Sequence, residues 1–327
     1  MIYIPAHADF NSAIEQAKRC RQGNDYNYKD PAFEVNITIV ISVNGAHLNE
    51  NDLKLLQLVS DRLHFIPENI GADTNISLGY LEALHAHSDY LWILSTNDAL
   101  YEGAMSNILG AIENGNADLI IIGKNSSTLT GKLTNAFRGE ATLLPIGLIS
   151  AVIYRTEKFK DSFASALKFS WTGWGQLSAL QNALFEVKSL NYEVLEESII
   201  YDRRSNLSYE DQLKKNQEFY RHSFFGYPLL VSILFNHEKS LRNLIIRDWL
   251  SINWYKIGYF KNKKDWLTIH PSKNVYWTEQ LSKKYIIFSG LYSPFIYLIG
   301  NFSFIYNFRS YKLLQKLKLY FTQRSGF

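Results

Sequence analysis

The chain contains a single cysteine, Cys20, among its 327 residues. One cysteine excludes an internal disulfide and is typical of a protein from a reducing compartment. The first ten residues, MIYIPAHADF, contain neither a basic stretch nor a long apolar run, so we expect a first β-strand there and not a signal peptide. The sequence therefore predicts a protein made for the cytosol.

Two common nucleotide-binding signatures are also missing. No G-x-G-x-x-G follows the first apolar segment, and no P-loop lysine motif occurs anywhere in the chain. These absences argue against a dinucleotide-binding dehydrogenase and a P-loop NTPase. The composition, 46% hydrophobic and 20% charged, instead indicates a globular protein with a sizeable core, large enough for one domain with an appendage.

Charge is unevenly distributed, although the formal net charge is only +3. Residues 1–202 carry 14 basic and 24 acidic side chains, whereas residues 203–327 carry 20 basic and 7 acidic ones. We therefore predict a domain boundary near residue 202 and an anionic partner for the basic half. An anionic membrane leaflet fits this pattern, and nucleic acid is disfavoured because no motif for it is visible. The alternative is two differently charged halves without such a partner.

Apolar periodicity predicts alternating strands and helices in residues 1–154. The predicted strands are residues 2–5, 35–43, 63–67, 90–94, 118–122 and 147–154, and the predicted helices are residues 10–20, 52–63, 75–85 and 105–113. This alternation is typical of an α/β fold with a mostly parallel sheet and helices on both of its faces.

Four polar residues, Ser95-Thr96-Asn97-Asp98, follow the apolar strand at residues 90–94. The carboxyl ends of strands are where α/β sheets bind ligands. A carboxylate beside an amide and hydroxyls offers hard oxygen donors, which suit a Mg²⁺ or Mn²⁺ ion that grips a diphosphate. The alternative is that these residues cap the following helix, since Asn and Asp are good N-caps.

Four elements in order resemble the family 2 glycosyltransferases, which have the GT-A fold. They are the turn Pro5-Ala6-His7, the strand end Ser42-Val43-Asn44, the Asn69-Ile70-Gly71 turn with Asn75 in the next helix, and Thr96-Asn97-Asp98. Their order and spacing match over roughly residues 1–125. The resemblance implies a metal ion, Mn²⁺ or Mg²⁺, held by Asp98. It also implies a nucleotide-sugar site formed by Pro5, Ala6, His7, Ser42, Asn44, Asn69, Gly71, Asn75, Thr96 and Asn97.

The chain departs from the family pattern at two of these elements. Ser42 and Asn44 stand where the family has acids that read the nucleobase, which leaves the choice of base open. Thr96 replaces the first acid of the metal signature. Asp98 then needs the donor's diphosphate to complete the metal's ligands, and the affinity for free metal should be low.

The acceptor side of the family site is altered as well. A helix predicted to begin within residues 170–176 and to end near 185 has Trp-Gly-Gln where many members carry a Glu-Asp pair with the catalytic base. Gln176 cannot accept the acceptor's proton. Asp161 is the nearest upstream acid and our candidate base, with Glu140 and His7 as others. The alternative for Asp161 is a solvated helix-capping acid.

Two tryptophans, Trp171 and Trp174, stand beside glycines in the same segment. We predict that they stack on a sugar, since the indole offers a broad apolar face with one donor. The alternative is core packing. Further on, Arg203 or Arg204 is a candidate partner of the diphosphate, or else a solvated or membrane-facing charge.

The last third of the chain is rich in aromatic and basic residues. Helices are predicted at residues 209–222, 227–235 and 241–255, and residues 285–308 form an uncharged, largely aromatic run interrupted by glycine, proline and asparagine. Such a run favours the membrane interface over a span. Residues 311–321 form a basic amphipathic helix, and the cations predicted to meet lipid headgroups are Lys312, Lys316, Lys318 and Arg324. The alternative is a second hydrophobic subdomain or an oligomer interface.

The resemblance implies an inverting, metal-assisted glycosyltransferase. It would move a sugar from a nucleotide-diphosphate sugar to a hydroxyl of a lipid-linked or membrane-bound glycan, in cell-envelope polysaccharide synthesis such as capsule or O-antigen assembly. The basic tail would keep the enzyme peripheral on the inner face of the cell membrane. The alternative is a catalytically degenerate GT-A-like binding subunit of a glycan-assembly complex, because the base is missing and the metal signature is reduced.

Overall fold

A computed structural model of the chain describes residues 1–7, 9–30, 33–115, 117–122, 148–181, 190–195, 199–203 and 217–253. The chain divides into two compact units, Met1–Tyr209 and Glu210–Phe327. In the first unit the described strands are β1 (Ile2–Ala6), β2 (Ile39–Asn44), β3 (Arg62–Ile66), β4 (Tyr90–Ile93), β5 (Asp98–Leu100), β6 (Leu119–Ile122), β7 (Val152–Arg155), β8 (Tyr192–Leu195) and β9 (Ile200–Asp202). Its described α-helices are α1 (Phe10–Arg21), α2 (Glu50–Val59), α3 (Ala72–His85), α4 (Ala104–Glu113), α5 (Thr156–Lys168) and α6 (Gly175–Ala179).

Seven of the described strands form the main sheet, in the order β3-β2-β1-β4-β7-β6-β8. Every neighbouring pair is parallel except those of β7, which runs antiparallel to β4 and β6. The predicted α/β fold with a mostly parallel sheet is confirmed. The carboxyl ends of β1, β2 and β4 therefore lie along one edge of the sheet, which we call the carboxyl edge. Strand β7 ends at the opposite, amino edge, where Arg155 pairs with Tyr90.

Helices cover both faces of the sheet, as predicted. Apolar side chains of α1, α2 and α4 share one core cluster with alternate residues of β1, β2 and β6. On the other face, α3 and α5 pack through rings of Tyr80, Tyr154 and Phe163. Helix α3 approaches β1 closely because Gly79 has no side chain: a Cβ there would lie 2.7 Å from the Tyr3 ring.

Strand β2 begins at Ile39, four residues later than the strand predicted at residues 35–43. The reason is strand pairing. Strand β1 pairs with β2 from Ile2↔Ile39 onward, so residues 35–38 have no residue of β1 opposite them. Helix α2 ends at Val59, and the predicted extension to residue 63 is wrong because Ser60 is already extended. Residues 62–66 then pair with β2 as the strand β3.

The segment predicted as a strand over residues 147–154 begins differently. A short 3-10 turn at Ile149–Ala151 precedes β7, which extends to Arg155. The predicted helix after residue 170 likewise opens with a 3-10 turn, Ser170–Thr172, before the short helix α6. Gly175 allows this close packing, since a Cβ there would lie 2.4 Å from the Ala166 carbonyl oxygen at the end of α5.

The second unit contributes two described helices, α7 (Gln217–Leu234) and α8 (Lys239–Asn253). Helix α7 joins two segments predicted as separate helices, because the chain continues through Pro228. Within the described residues, no helix is long and apolar enough to cross a membrane. The run at 285–308 and the amphipathic segment at 311–321 lie outside the described residues, and their predicted roles stay predictions.

Candidate functional site

The turn Ser95–Asp98 lies at the carboxyl edge, directly after β4. The backbone N–H of Asp98 donates to the carbonyl of Ser95 at 3.1 Å, which closes the turn. Asp98 then opens β5, whose partner is β9 in the register Asp98↔Asp202. Its side chain is partly exposed. The alternative that these residues cap a helix is wrong, because α4 begins six residues later with Gly103 as its N-cap.

A buried glutamine of α1 holds this turn through its main chain. The side chain of Gln16 is completely buried. Its amide nitrogen lies 2.5 Å from the carbonyl oxygens of both Ser95 and Asp98, so one side chain bonds the two ends of the turn. Its own oxygen, Oε1, has no hydrogen-bond partner in the part of the chain that the structure describes.

Arg203 holds the same turn from the end of β9. Its backbone N–H donates to the carbonyl of Asn97 at 2.8 Å, and its Nε donates to the carbonyl of Asp98 at 3.1 Å. Its Nη1 lies 2.6 Å from Oε2 of Glu15 on α1. This guanidinium therefore already bonds Glu15 and the Asp98 carbonyl. Its predicted contact with a diphosphate stays a prediction. Arg204 lies outside the described residues.

Glu15 links two arginines that both bind carbonyls of β5. Its Oε1 lies 3.0 Å from the guanidinium of Arg19, which donates in turn to the carbonyl of Leu100. The hydrogen bond from Arg203 and the charges of both arginines hold the pKa of Glu15 below its ordinary value. The polar side of α1 therefore fixes the main chain of β5 at Asp98 and Leu100.

A second turn is fixed over the end of β2. Asn44, which is buried, donates to Oδ1 of Asn69 at 3.4 Å and to the carbonyl of Gly71 at 3.3 Å, while its Oδ1 accepts from the N–H of Ile70 at 2.9 Å. Gly45 permits the contact, since it has φ +62° and a Cβ there would lie 2.6 Å from the Cα of Asn69. The Asn-x-Gly turn thus lies where the sequence predicts it, at the carboxyl edge.

His7 joins this group from the end of β1. Its Nδ1 lies 2.5 Å from the carbonyl oxygen of Asn44, and the imidazole is exposed. A carbonyl only accepts, so Nδ1 carries the proton and the neutral ring has an acceptor at Nε2. Pro5 is partly buried and Ala6 is buried in β1 just before it.

Ser42 and Asn75 are brought together, but inside the fold. Their side chains are 0% and 2% exposed, and the hydroxyl of Ser42 donates to Oδ1 of Asn75 at 2.6 Å. The hydroxyl of Tyr3 donates to the same oxygen at 3.2 Å, and the Asn75 amide donates to the Ser42 carbonyl at 3.2 Å. These contacts tie α3 to β1 and β2 beneath the carboxyl edge. The predicted contact of both residues with the nucleotide stays a prediction.

An acid in the first turn of α3 has an altered ionisation. Burial raises the pKa of Asp73 from an ordinary value of 3.8 to about 7. This carboxyl group lies two residues after Gly71, the N-cap of α3, and its side chain is partly buried. Desolvation here outweighs the helix N-terminus, which favours a negative charge.

The residues around Asp98 fit a divalent metal only in part. Among the described residues, no three His, Cys, Asp or Glu side chains form a cluster that could hold a metal ion. The carbonyls of Ser95, Asn97 and Asp98 are already bonded within the fold. The turn also carries the Asp98 carboxylate and the side-chain oxygens of Thr96 and Asn97, which are hard donors. This set fits a site in which a diphosphate supplies the other oxygens.

The acceptor-side candidates lie elsewhere. Asp161 is exposed in the middle of α5, the helix that follows β7, and its predicted role as catalytic base stays a prediction. Trp174 is 8% exposed and belongs to the core, whereas Trp171 is partly exposed. Their predicted contacts with a sugar stay predictions, and Glu140 lies outside the described residues.

The α1 residues were not among the predicted site residues, although the sequence contains a signal for one of them. Gln16 lies on the apolar face of α1, since Ala13, Ala17 and Cys20 are buried with it at helical spacing. A glutamine in such a row indicates a buried polar contact. Nothing in the sequence identifies its partners, because they lie 79 and 82 residues away.

No protein-family model and no curated protein matches the sequence. Solved structures do match: S. aureus TarS 1–349 has a TM-score of 0.52 and 10% identity, over 98% of this chain and 90% of that chain. TarS 1–349 in complex with UDP-GlcNAc has a TM-score of 0.52 and 11% identity, over 99% of this chain and 92% of that chain. The likeness shows a shared fold, a mostly parallel sheet of the GT-A type flanked by helices. Assignment to family 2 itself stays a prediction.

Proposed function

We propose that this protein is a glycosyltransferase that moves a sugar from a nucleotide-diphosphate sugar to a hydroxyl of a lipid-linked or membrane-bound glycan. The observation that carries the proposal is the place of Asp98: a partly exposed carboxylate in a fixed turn at the carboxyl edge of a parallel sheet. The fold adds support, because a protein of similar fold was solved with UDP-GlcNAc. A uridine nucleotide is therefore the first donor to test.

The site residues take the following roles in this proposal. Asp98 holds Mn²⁺ or Mg²⁺ with the donor's diphosphate, and a bound metal would neutralise the charge that develops on the leaving diphosphate. His7, Thr96, Asn97 and the turn at Asn69 face the donor from the carboxyl edge. Ser42, Asn44 and Asn75 support those turns from within. The sugar passes through an oxocarbenium-like state, by analogy with glycoside hydrolysis.

The acceptor hydroxyl must lose a proton as the new bond forms. Of the three candidate bases, His7 lies at the same edge as Asp98 and has an acceptor at Nε2 when its ring is neutral. Asp161 stays a candidate that requires an acceptor site extending to α5. His7→Gln compared with Asp161→Asn separates the two, because only replacement of the true base should strongly lower the transfer rate at saturating donor concentration.

The first experiment is a thermal-shift panel of UDP, GDP, CDP and dTDP, each with and without Mn²⁺. A ligand that binds only the folded protein raises its melting temperature by mass action. We expect a shift with one nucleotide that requires both the metal and Asp98, so Asp98→Ala should lose it. Glu102→Ala is the matched control, an exposed acid four residues away. A shift that persists in Asp98→Ala would contradict the assigned role of Asp98.

A binding subunit without catalysis is the second candidate. Two observations favour it. No three His, Cys, Asp or Glu side chains cluster in the described part of the chain, and Gln176 stands where the family resemblance places a catalytic base. The two candidates differ in turnover. Release of UDP from UDP-GlcNAc that depends on a lipid-linked glycan supports the enzyme, whereas binding without release supports the subunit.

The basic region from residue 203 onward gives the proposal its location. Its 20 basic and 7 acidic side chains would hold the protein on the inner face of the cell membrane, near a lipid-linked acceptor of capsule or O-antigen type. Co-sedimentation of the full chain with vesicles tests this. Binding to vesicles with anionic lipid, lost at high salt and absent with neutral lipid, is the expected result, and equal binding to both would contradict it.

A further inference from the structure

We propose that Gln16 and Arg203 are positioning residues, which set the direction of the Asp98 carboxylate by holding the main chain on both sides of it. The consequence for donor binding rests on the proposed function, whereas the consequence for the main chain does not. The inference comes from four carbonyls of residues 95–100, those of Ser95, Asn97, Asp98 and Leu100. Each of them is bonded by α1 or by Arg203.

Gln16 is poorly explained as a packing residue. It is completely buried, and among the described residues its Oε1 has no hydrogen-bond partner. Burying a polar atom without a partner costs free energy. An apolar side chain of similar length would fill the same space without that cost. Only the amide nitrogen requires a glutamine, and this nitrogen bonds both ends of the Asp98 turn.

Arg203 fixes the other side of Asp98. Its backbone and side chain bond successive carbonyls, those of Asn97 and Asp98. Glu15 orients its guanidinium at 2.6 Å, and Glu15 is oriented in turn by Arg19. With the peptide units on both sides of Asp98 fixed, the position of its Cα and the direction of its Cα–Cβ bond are fixed as well.

A fixed main chain matters most for a carboxylate that binds a metal. Metal–oxygen distances are narrow, and a binding group must be held within about half an ångström of its productive position. Mutation of residues that hydrogen-bond and orient a metal-binding side chain commonly lowers metal affinity about 10- to 100-fold. We therefore expect the clamp formed by Gln16 and Arg203 to affect metal-dependent nucleotide binding and to leave metal-free binding largely unchanged.

The test uses Gln16→Met and Arg203→Lys in the full chain. Methionine keeps the length of the side chain and removes the donor, and lysine cannot bond Glu15 and the Asp98 carbonyl as a guanidinium does. Arg155→Lys is the matched control. Arg155 also bonds a carboxylate and a carbonyl, those of Asp118 and Gly115, but at the amino edge.

Two measurements are made on each variant. Amide hydrogen exchange over residues 94–100 should be about tenfold faster in Gln16→Met and Arg203→Lys and unchanged in Arg155→Lys, since the Asp98 N–H bonds inside the clamped turn. The Mn²⁺-dependent part of nucleotide affinity should fall about tenfold in the same two variants. Thermal unfolding without ligand verifies that each variant is folded.

The outcomes separate this inference from the proposed function. Unchanged exchange in folded Gln16→Met and Arg203→Lys overturns the inference, as does an equal loss of affinity with and without metal. Faster exchange confined to the turn supports the inference even if the wild-type protein binds no nucleotide, a result that overturns only the proposed function. If Gln16→Met does not fold, Arg203→Lys alone decides.

Discussion

The two edges of the main sheet place an acid in different surroundings, Asp118 at the amino edge and Asp98 at the carboxyl edge. At the amino edge, charged groups satisfy one another: Asp118 is 3% exposed, with one oxygen 3.1 Å from Arg155 and the other accepting the N–H of Asn191 at 3.0 Å. At the carboxyl edge, buried Gln16 and partly buried Arg203 bond the main-chain carbonyls next to Asp98. The carboxylate of Asp98 stays partly exposed there.

This difference shows what each edge is built for. A buried acid whose two oxygens are both bonded within the fold contributes to stability and has little capacity left for a ligand. A partly exposed acid on a fixed main chain is placed for a ligand. We therefore expect stability and ligand binding to respond in opposite order at the two edges.

The largest effect on stability is expected at the amino edge. Asp118→Ala removes the acceptor of the Asn191 N–H and the carboxylate partner of Arg155, which keeps its bond to the Gly115 carbonyl. Removing one partner of a buried ion pair costs about 3 kcal/mol of unfolding free energy. Urea denaturation measures this loss. The nucleotide-induced thermal shift should be unchanged in the folded variant.

Asp98→Ala is the counterpart of that variant. We expect it to change stability little and to abolish the metal-dependent shift. If Asp118→Ala instead removes nucleotide binding while the protein stays folded, the contrast between the two edges fails.

The second prediction tests the buried support beneath the carboxyl edge. Asn75→Ala deprives two buried hydroxyl groups, those of Tyr3 and Ser42, of their shared acceptor. Because buried donors without partners are costly, we expect a loss of about 2 kcal/mol in unfolding free energy. Tyr3→Phe is the control, since it removes a single one of these bonds and should cost less.

Nucleotide affinity of Asn75→Ala decides the role of this residue. A stability loss without a loss of affinity means that Asn75 supports the fold and does not read the base. A large loss of affinity at unchanged stability means that it contacts the donor, as the family resemblance implies.

Sequence patterns sufficed for the elements that depend on neighbours along the chain. The alternation of strands and helices, the turn at Asn69–Gly71 and the polar end of β4 are local, and all of them lie at the predicted places. The start of β2 was missed because it depends on where β1 begins, and β5 was missed because its partner β9 is about 100 residues away. The clamp on Asp98 was missed for the same reason: α1 contacts residues 95–100 only in the folded chain.

The third prediction concerns Asp73, the partly buried acid in the first turn of α3. The pKa of Asp73, about 7 in the fold against an ordinary value of 3.8, means that the folded state binds a proton more tightly than the unfolded state. Stability should therefore fall as pH rises from about 4 to 7 and stay level above that. Asp73→Asn removes this fall.

The expected gain of Asp73→Asn at pH 8 is of the order of 1 kcal/mol, because partial exposure lowers the full desolvation cost. Melting temperatures of both proteins at pH 5 and pH 8 measure it. The gain should be much smaller at pH 5. A gain of equal size at both pH values would mean that the amide stabilises α3 for a reason other than ionisation.

The smallest effect on stability is expected for Glu15→Gln. Its side chain is 42% exposed, so solvent screening limits the two ion pairs to about 0.5 kcal/mol. The lowered pKa means that this contribution is present above the ordinary range near 4.5 and is lost as pH falls through the lowered value. The difference in melting temperature between the variant and the wild type should accordingly be small at pH 7 and vanish at low pH.

The same variant, Glu15→Gln, is more informative when its metal-dependent nucleotide affinity is measured. Glutamine orients the Arg203 guanidinium less firmly than a carboxylate does, because the charge-assisted bond at 2.6 Å is replaced by a neutral one. Glu15→Gln should then weaken Mn²⁺-dependent binding several-fold despite its small effect on stability, the reverse of Asp118→Ala. If both variants change binding and stability in the same proportion, the carboxyl edge is a structural edge like the amino edge, and the clamp does not serve a ligand.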